Sequence, residues 1–191
     1  NRQIIATHSS VGKNKVDAAE KRAKDINPEI IVNKHNVFYL PDSEYVFDFQ
    51  SFDYIVDAID TVSAKLDLIE KAQEYGVPII SAMGCGNRFD PTKLVVTDIY
   101  KTEMDPLAKV MRKELKKRGV KKLKVVYSTE EPLKTVDFDE SCCDAASLTQ
   151  EMQSVKTRAK SVPGSTAFVP SAAGLIIASQ VAFDLTEELR K

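Results

Sequence analysis

Apolar runs of strand length alternate with amphipathic stretches of helix length through most of this 191-residue chain, and that alternation constrains its fold most. Residues 54–59 are the sharpest case. They form an apolar run flanked by acids, the pattern of a strand buried on both faces of a parallel sheet. The next stretch, 61–75, places Leu66, Ile69, Ala72 and Gln73 on one helical stripe and ends at Gly76, a C-cap signal. Residues 78–82 then read as a short strand. The same logic predicts a helix over 11–26, with Val16, Ala19, Ala23 and Ile26 as its stripe and Asn27-Pro28 as its stop. It predicts strands over 30–37, 94–100 and 123–128, a short helix over 42–49, and a helix over 106–118 with Pro106 in its first turn and Gly119 at its end. Residues 136–163 are polar with few periodic apolar positions and read as loop. A final helix is predicted over 170–189. Alternating elements of this kind argue for an α/β fold, Rossmann-like, with a mainly parallel sheet. A division falls after Ala82. Residues 1–82 look like nucleotide-fold units, and 83–191 look like a more antiparallel C-terminal extension of the same domain.

Composition sets outer bounds. Hydrophobic residues make up 43% and charged residues 29%, which excludes wholesale disorder. The net charge of -1 excludes a protein that binds nucleic acid through its overall charge. The three cysteines, Cys85, Cys142 and Cys143, form neither a disulfide framework nor a CxxC zinc pair, so no structural zinc is expected and a reducing cytoplasm fits. No run is read as reaching the ~20 apolar residues that cross a bilayer, no signal peptide is visible, and no membrane partner is expected.

Four clusters carry candidate chemistry. Arg2 and Gln3 lie on a short loop, and Lys15, preceded by Gly12, stands about one turn into the next predicted helix. A guanidinium fork and a mobile ammonium clamp phosphate well. The bland alternative is solvated charge at a helix start. Residues 56–61 run an apolar strand into Asp57 and Asp60. Ligands of open α/β sheets bind beyond the carboxyl ends of strands, and a carboxylate there holds Mg²⁺ beside phosphates. Alternatively Asp60 or Thr61 caps the following helix, and Asp57 anchors a loop. The third cluster is the loop Gly84-Cys85-Gly86-Asn87-Arg88, where Cys85 is either a nucleophile or a small buried hydrophobe. The fourth is a basic stretch. Lys109, Arg112, Lys113, Lys116, Lys117, Arg118, Lys121, Lys122 and Lys124 face one acid, Glu114. It is either a solvated face or a polyanion patch.

Arg2-Gln3, Gly12 with Lys15, and Asp57-Ala58-Ile59-Asp60, in that order, resemble the ThiF/MoeB/ubiquitin-activating superfamily. Within it the chain is similar to the tRNA threonylcarbamoyladenosine dehydratases, through Asp90-Pro91-Thr92 with Val96-Thr97-Asp98, Lys101-Thr102 with Asp105-Pro106-Leu107-Ala108, and residues 126–130. The resemblance implies ATP and Mg²⁺ as cofactors, and adenylation of a carboxylate in a cyclising dehydration of modified tRNA. Arg2 looks like the arginine on the triphosphate, with Gln3 beside it. Lys15 looks like the lysine that steadies phosphates as pyrophosphate leaves, and Asp60 like the metal-holding aspartate. Lys65 stands where relatives often carry an arginine, and the resemblance places it with Arg2, Gln3, Lys15 and Asp60 among the cofactor-binding residues. The basic helix, through Lys109, Arg112, Lys113, Lys116 and Lys117, would hold tRNA, and a homodimer is implied. The family's Gly-rich loop and ribose-binding acid would precede Asn1, so these 191 residues by themselves are expected to be inactive. The alternatives are a module that docks a cysteine desulfurase or another sulfur-relay partner, and one that activates a ubiquitin-like or sulfur-carrier protein.

Overall fold

The computed structural model describes residues 2–41, 47–134, 164–187 and 189. Its elements are α1 (Lys15–Ile26), β1 (Ile55–Asp57), α2 (Val62–Glu74), β2 (Ile79–Ala82), β3 (Leu94–Asp98), α3 (Pro106–Lys117), β4 (Lys124–Ser128) and α4 (Phe168–Leu185). The strands form one sheet in the order β1-β2-β4-β3. β1 pairs parallel with β2, and β2 parallel with β4. β3 pairs antiparallel with β4.

Alternation along the strands builds two cores. Val125 and Tyr127 of β4 face α2 and α3, where Leu66, Ile69, Met111 and Leu115 bury them. Val126, one residue out of phase, faces the opposite side with Ile80 and Leu94, against Val169, Ala173 and Ile177 of α4. A third cluster, Phe49, Ile55, Leu68, Ala72 and Val77, closes the β1 end of the α2 side. The result is three layers, helix, sheet and helix. Positive φ at Gly76 (70°) and Gly119 (74°) ends α2 and α3 as their sequences predict.

Several expectations change. Residues 30–37 form no strand, and Ile31 is 86% exposed. Their β-branched pattern is suited to a sheet, but no described strand pairs with them. Lys34 instead joins them to α1, with Nζ 2.7 Å from Asp17 and 2.6 Å from Glu20. Hydrogen bonds from Lys24 and then from Lys34 hold the Glu20 carboxyl down to about 2. α1 starts at Lys15 rather than at residue 11 and buries no residue. Of the region 42–49, residues 42–46 lie outside the described residues, and Phe49–Ser51 form a single 3-10 turn. Gln73 is exposed, and Leu68 takes its expected place in the core. The predicted loop over 136–163, with Cys142 and Cys143, also lies outside the described residues. α4 starts two residues earlier and ends four residues sooner than the predicted span of 170–189, and it is apolar on average over its whole length. By length and composition it is able to cross a membrane. In this fold one face of it packs on β2, β3 and β4.

Candidate active site

The carboxyl ends of parallel β1 and β2 meet beside the start of α2, and the residues there form a buried polar network. Asp57 ends β1 and Lys65 lies in the first turns of α2; both are 0% exposed. Lys65 Nζ stands 3.0 Å from Asp57 Oδ2 and donates to the carbonyls of Ile59 (2.9 Å) and Ala82 (2.8 Å). Asp57 Oδ1 accepts the Ile59 N–H at 3.1 Å, and Oδ2 accepts the Ser81 hydroxyl at 2.5 Å. Asp57 therefore anchors the loop that follows it, one of the two roles its position suggests.

That loop presents Asp60. Its side chain is exposed and, among the described residues, makes no hydrogen bond or ion pair. Thr61 is the N-cap residue of α2, without a side-chain cap hydrogen bond. Thr61 thus holds the cap position through its backbone alone, Asp60 does not cap the helix, and the Asp60 carboxylate is left without a protein partner among the described residues.

The loop after β2 carries a second buried ion pair. Arg88 is 2% exposed, with Nη2 3.2 Å from Asp105 Oδ2. Its Nη1 donates to the carbonyls of Ser128 (2.7 Å) and Glu130. Asp105 also caps α3, accepting the Ala108 N–H at 2.8 Å. Asn87, at φ 57°, accepts the Gly164 N–H on its side chain (2.7 Å) and donates its own N–H to the Gly164 carbonyl (2.8 Å). The Leu133 N–H donates to its carbonyl (2.7 Å), so one residue holds the chain on both sides of 135–163. Arg88 and Asp105 both stand in motifs of the sequence, but neither motif signals their pairing. Asp105-Pro106 as a cap was the available signal; the partner of a loop arginine has none.

Cys85 sits in this loop, half-buried, its thiol 3.8 Å from the Met83 carbonyl. Burial pushes its pKa up, against a smaller opposing pull from Arg88. Half-burial and this upward shift favour the small-hydrophobe reading of Cys85 over a nucleophile. Cys85→Ser is expected to leave catalysis unchanged, and wild-type Cys85 to react with iodoacetamide more slowly than a free cysteine; rapid alkylation at neutral pH would contradict this.

The remaining sequence candidates are spread. Lys15 is the first residue of α1, not one turn inside it, and is exposed beside the free N–H groups of that helix end. Gly12 supplies the turn before it at φ 78°. Arg2 is exposed and Gln3 half-buried on the preceding loop. Among the described residues no hydrogen bond or ion pair joins Arg2 or Lys15 to Asp60. On α3, Ala108, Met111 and Leu115 face the core. Lys109, Lys113 and Lys116 are exposed and carry no ion pair among the described residues. Arg112 is committed to Thr102, whose carbonyl it meets at 2.8 Å, and Lys117 to Glu114 at 2.7 Å. A groove of about 460 Å³ between α2 and α3 contains Asp67, Glu70, Glu114 and Arg118; the arginine is already paired with Glu70 and Glu114, which leaves an unsuitable lining for polyphosphate.

The model of the ThiF family matches residues 1–182. The tRNA threonylcarbamoyladenosine dehydratase of Bacillus subtilis (strain 168) is 39% identical over 191 residues, covering 99% of this chain and 72% of that protein. Among solved structures, E. coli tRNA N6-threonylcarbamoyladenosine dehydratase in complex with AMP superposes with a TM-score of 0.77 at 28% identity, over all of this chain and 72% of that one. The same E. coli enzyme in complex with ATP gives 0.65 at 27% identity, over 95% of this chain and 71% of that one. Sequence and architecture agree: the chain belongs to the ThiF family, beside its tRNA threonylcarbamoyladenosine dehydratases.

Proposed function

We propose that this chain carries much of the site of an ATP-dependent adenylating enzyme that dehydrates threonylcarbamoyladenosine in tRNA. The observation that carries it is the free Asp60 carboxylate, held at the carboxyl end of a parallel strand, in a chain similar to dehydratases solved with AMP and with ATP. The substrate carboxylate attacks the α-phosphate of ATP and pyrophosphate leaves. An internal nitrogen or oxygen of the modified nucleoside then attacks the activated carbonyl carbon, closing a ring. AMP departs with the former carboxylate oxygen, so one water is lost overall and no protein thiol takes part.

Each residue has a role in that scheme. Arg2, with Gln3 beside it, binds the triphosphate. Lys15, reinforced by the α1 N-terminus, neutralises the phosphates as pyrophosphate leaves. Asp60 would hold Mg²⁺. The donor fits, because Asp60 offers a single exposed carboxylate that makes no hydrogen bond or ion pair among the described residues. Mg²⁺ is ordinarily held by one or two carboxylates together with substrate phosphates. Bound there, it would supply charge neutralisation at the phosphoryl oxygens.

The exposed lysines of α3 are assigned to tRNA phosphates, which position without specifying. Replacing Lys109, Lys113 and Lys116 by Gln is expected to weaken tRNA binding and to lower the salt slope of log K by roughly 0.7–0.9 for each lost phosphate contact. Unchanged affinity and slope in a salt titration would make the helix a solvated face. We further take residues 1–82 and 83–191 as parts of one domain, the enzyme as cytoplasmic, and the working unit as a homodimer. The outward side chains of α4, with Leu175 and Leu185 more than half exposed, support pairing with a second copy. ATP–pyrophosphate exchange by the full-length protein tests the adenylation step, and its absence would remove the proposal.

A further inference from the structure

Lysine is rarely fully buried unless its charge is matched. Lys65 meets that condition with three acceptors: Asp57 Oδ2, the Ile59 carbonyl and the Ala82 carbonyl. An ammonium has three N–H donors, so all are engaged. Lys65 is therefore not a free cation waiting for a nucleotide, the cofactor-contact role that the resemblance suggested for it.

The identity of its acceptors matters. The Ile59 carbonyl belongs to the peptide that joins Ile59 to Asp60. The Ala82 carbonyl stands at the end of β2, where the loop carrying Arg88 begins. Ile59 is gripped on both sides, its N–H by Asp57 and its carbonyl by Lys65. The Asp60 side chain has no hydrogen bond or ion pair of its own among the described residues. Fold stability alone does not call for such a network, because a buried ion pair is often no better for stability than a well-packed apolar pair.

We propose that Lys65 is a positioning residue: by tying the Ile59 carbonyl to the Ala82 carbonyl, it sets the Asp60 carboxylate against the loop that follows β2. This rests on the adenylation reading, with Asp60 as the metal-holding group.

The test compares full-length wild type with the double variant Lys65→Met, Asp57→Asn, which removes the ammonium without leaving a lone buried carboxylate. Two quantities are measured: the Mg²⁺ dependence of ATP–pyrophosphate exchange, and amide hydrogen exchange of peptides covering 58–62, 55–57 and 79–82. The Mg²⁺ concentration for half-maximal rate is expected to rise about tenfold, as for lost second-layer support of a metal ligand, with KM for ATP nearly unchanged. Amide exchange should accelerate over 58–62 and not in the two strands. An unchanged Mg²⁺ dependence overturns the proposal. So does acceleration spread evenly over both strands, which marks a merely structural residue. If wild type shows no pyrophosphate exchange, the adenylation reading falls, and the amide pattern alone decides what Lys65 does. Should the double variant not fold, Lys65→Arg carries both measurements. Its planar fork does not reproduce three acceptors arranged around one nitrogen, so smaller shifts in the same directions are expected, and their absence overturns the proposal.

Discussion

Asp60→Ala in the full-length protein is expected to reduce ATP–pyrophosphate exchange at least about a hundredfold, the scale of losing one group that stabilises transition-state charge, while leaving thermal stability unchanged. The stability half follows from geometry. Asp60 is exposed, caps nothing and bonds to nothing among the described residues. Surface substitutions of that kind rarely move stability by more than about 0.5 kcal/mol. A fall in both activity and Tm would mean that Asp60 is structural. Normal exchange in the variant would take it out of the site.

Asp105→Ala has the opposite profile, with a large loss of stability from a residue outside the proposed chemistry. Asp105 is 2% exposed, caps α3 and pairs with Arg88, itself 2% exposed. Losing the cap costs about 1 kcal/mol. Leaving a buried charge without its partner costs about 3–5 kcal/mol, moderated here because Arg88 keeps the carbonyls of Ser128 and Glu130. A net loss of about 3 kcal/mol lowers Tm by roughly 6–12 °C in a domain of this size. Asp90→Ala is the control. Asp90 caps a single 3-10 turn, accepting from the Thr92 N–H at 2.8 Å and from its hydroxyl, and its loss should leave Tm nearly unchanged. Equal melting curves for wild type and Asp105→Ala would show that the buried pair contributes nothing.

The two variants also divide what the sequence revealed from what it concealed. The place of Asp60 in the fold, between β1 and α2, was legible because its signal is local: an apolar run, an acid at its end, then a helix. The paired helices and strands were legible for the same reason, down to the glycines that end α2 and α3. The order of the sheet was not, because β4 enters between β2 and β3, and nothing in a strand's own residues states which neighbour it will take. Residues 30–37 show the same limit from the other side. They have strand composition and no described partner, so their pattern misled. The buried pairs Asp57–Lys65 and Arg88–Asp105 join residues 8 and 17 positions apart through the fold. Lys65 gave one faint sign, a charge set between Ala64 and Leu66 on the buried face of α2. The basic stretch was visible as a sum of charges. Only the packing of α3 separates Lys109, Lys113 and Lys116, which face outward, from Arg112 and Lys117, which have protein partners.

The most direct test of the proposed function is chemical. Full-length protein is incubated with ATP, Mg²⁺ and tRNA bearing threonylcarbamoyladenosine, the tRNA is digested, and the nucleosides are weighed by mass spectrometry. The proposal predicts a new nucleoside lighter than threonylcarbamoyladenosine by one water, formed only when ATP is present and lost with Asp60→Ala. A nucleoside of unchanged mass, under conditions where the protein is folded and binds ATP, would contradict it.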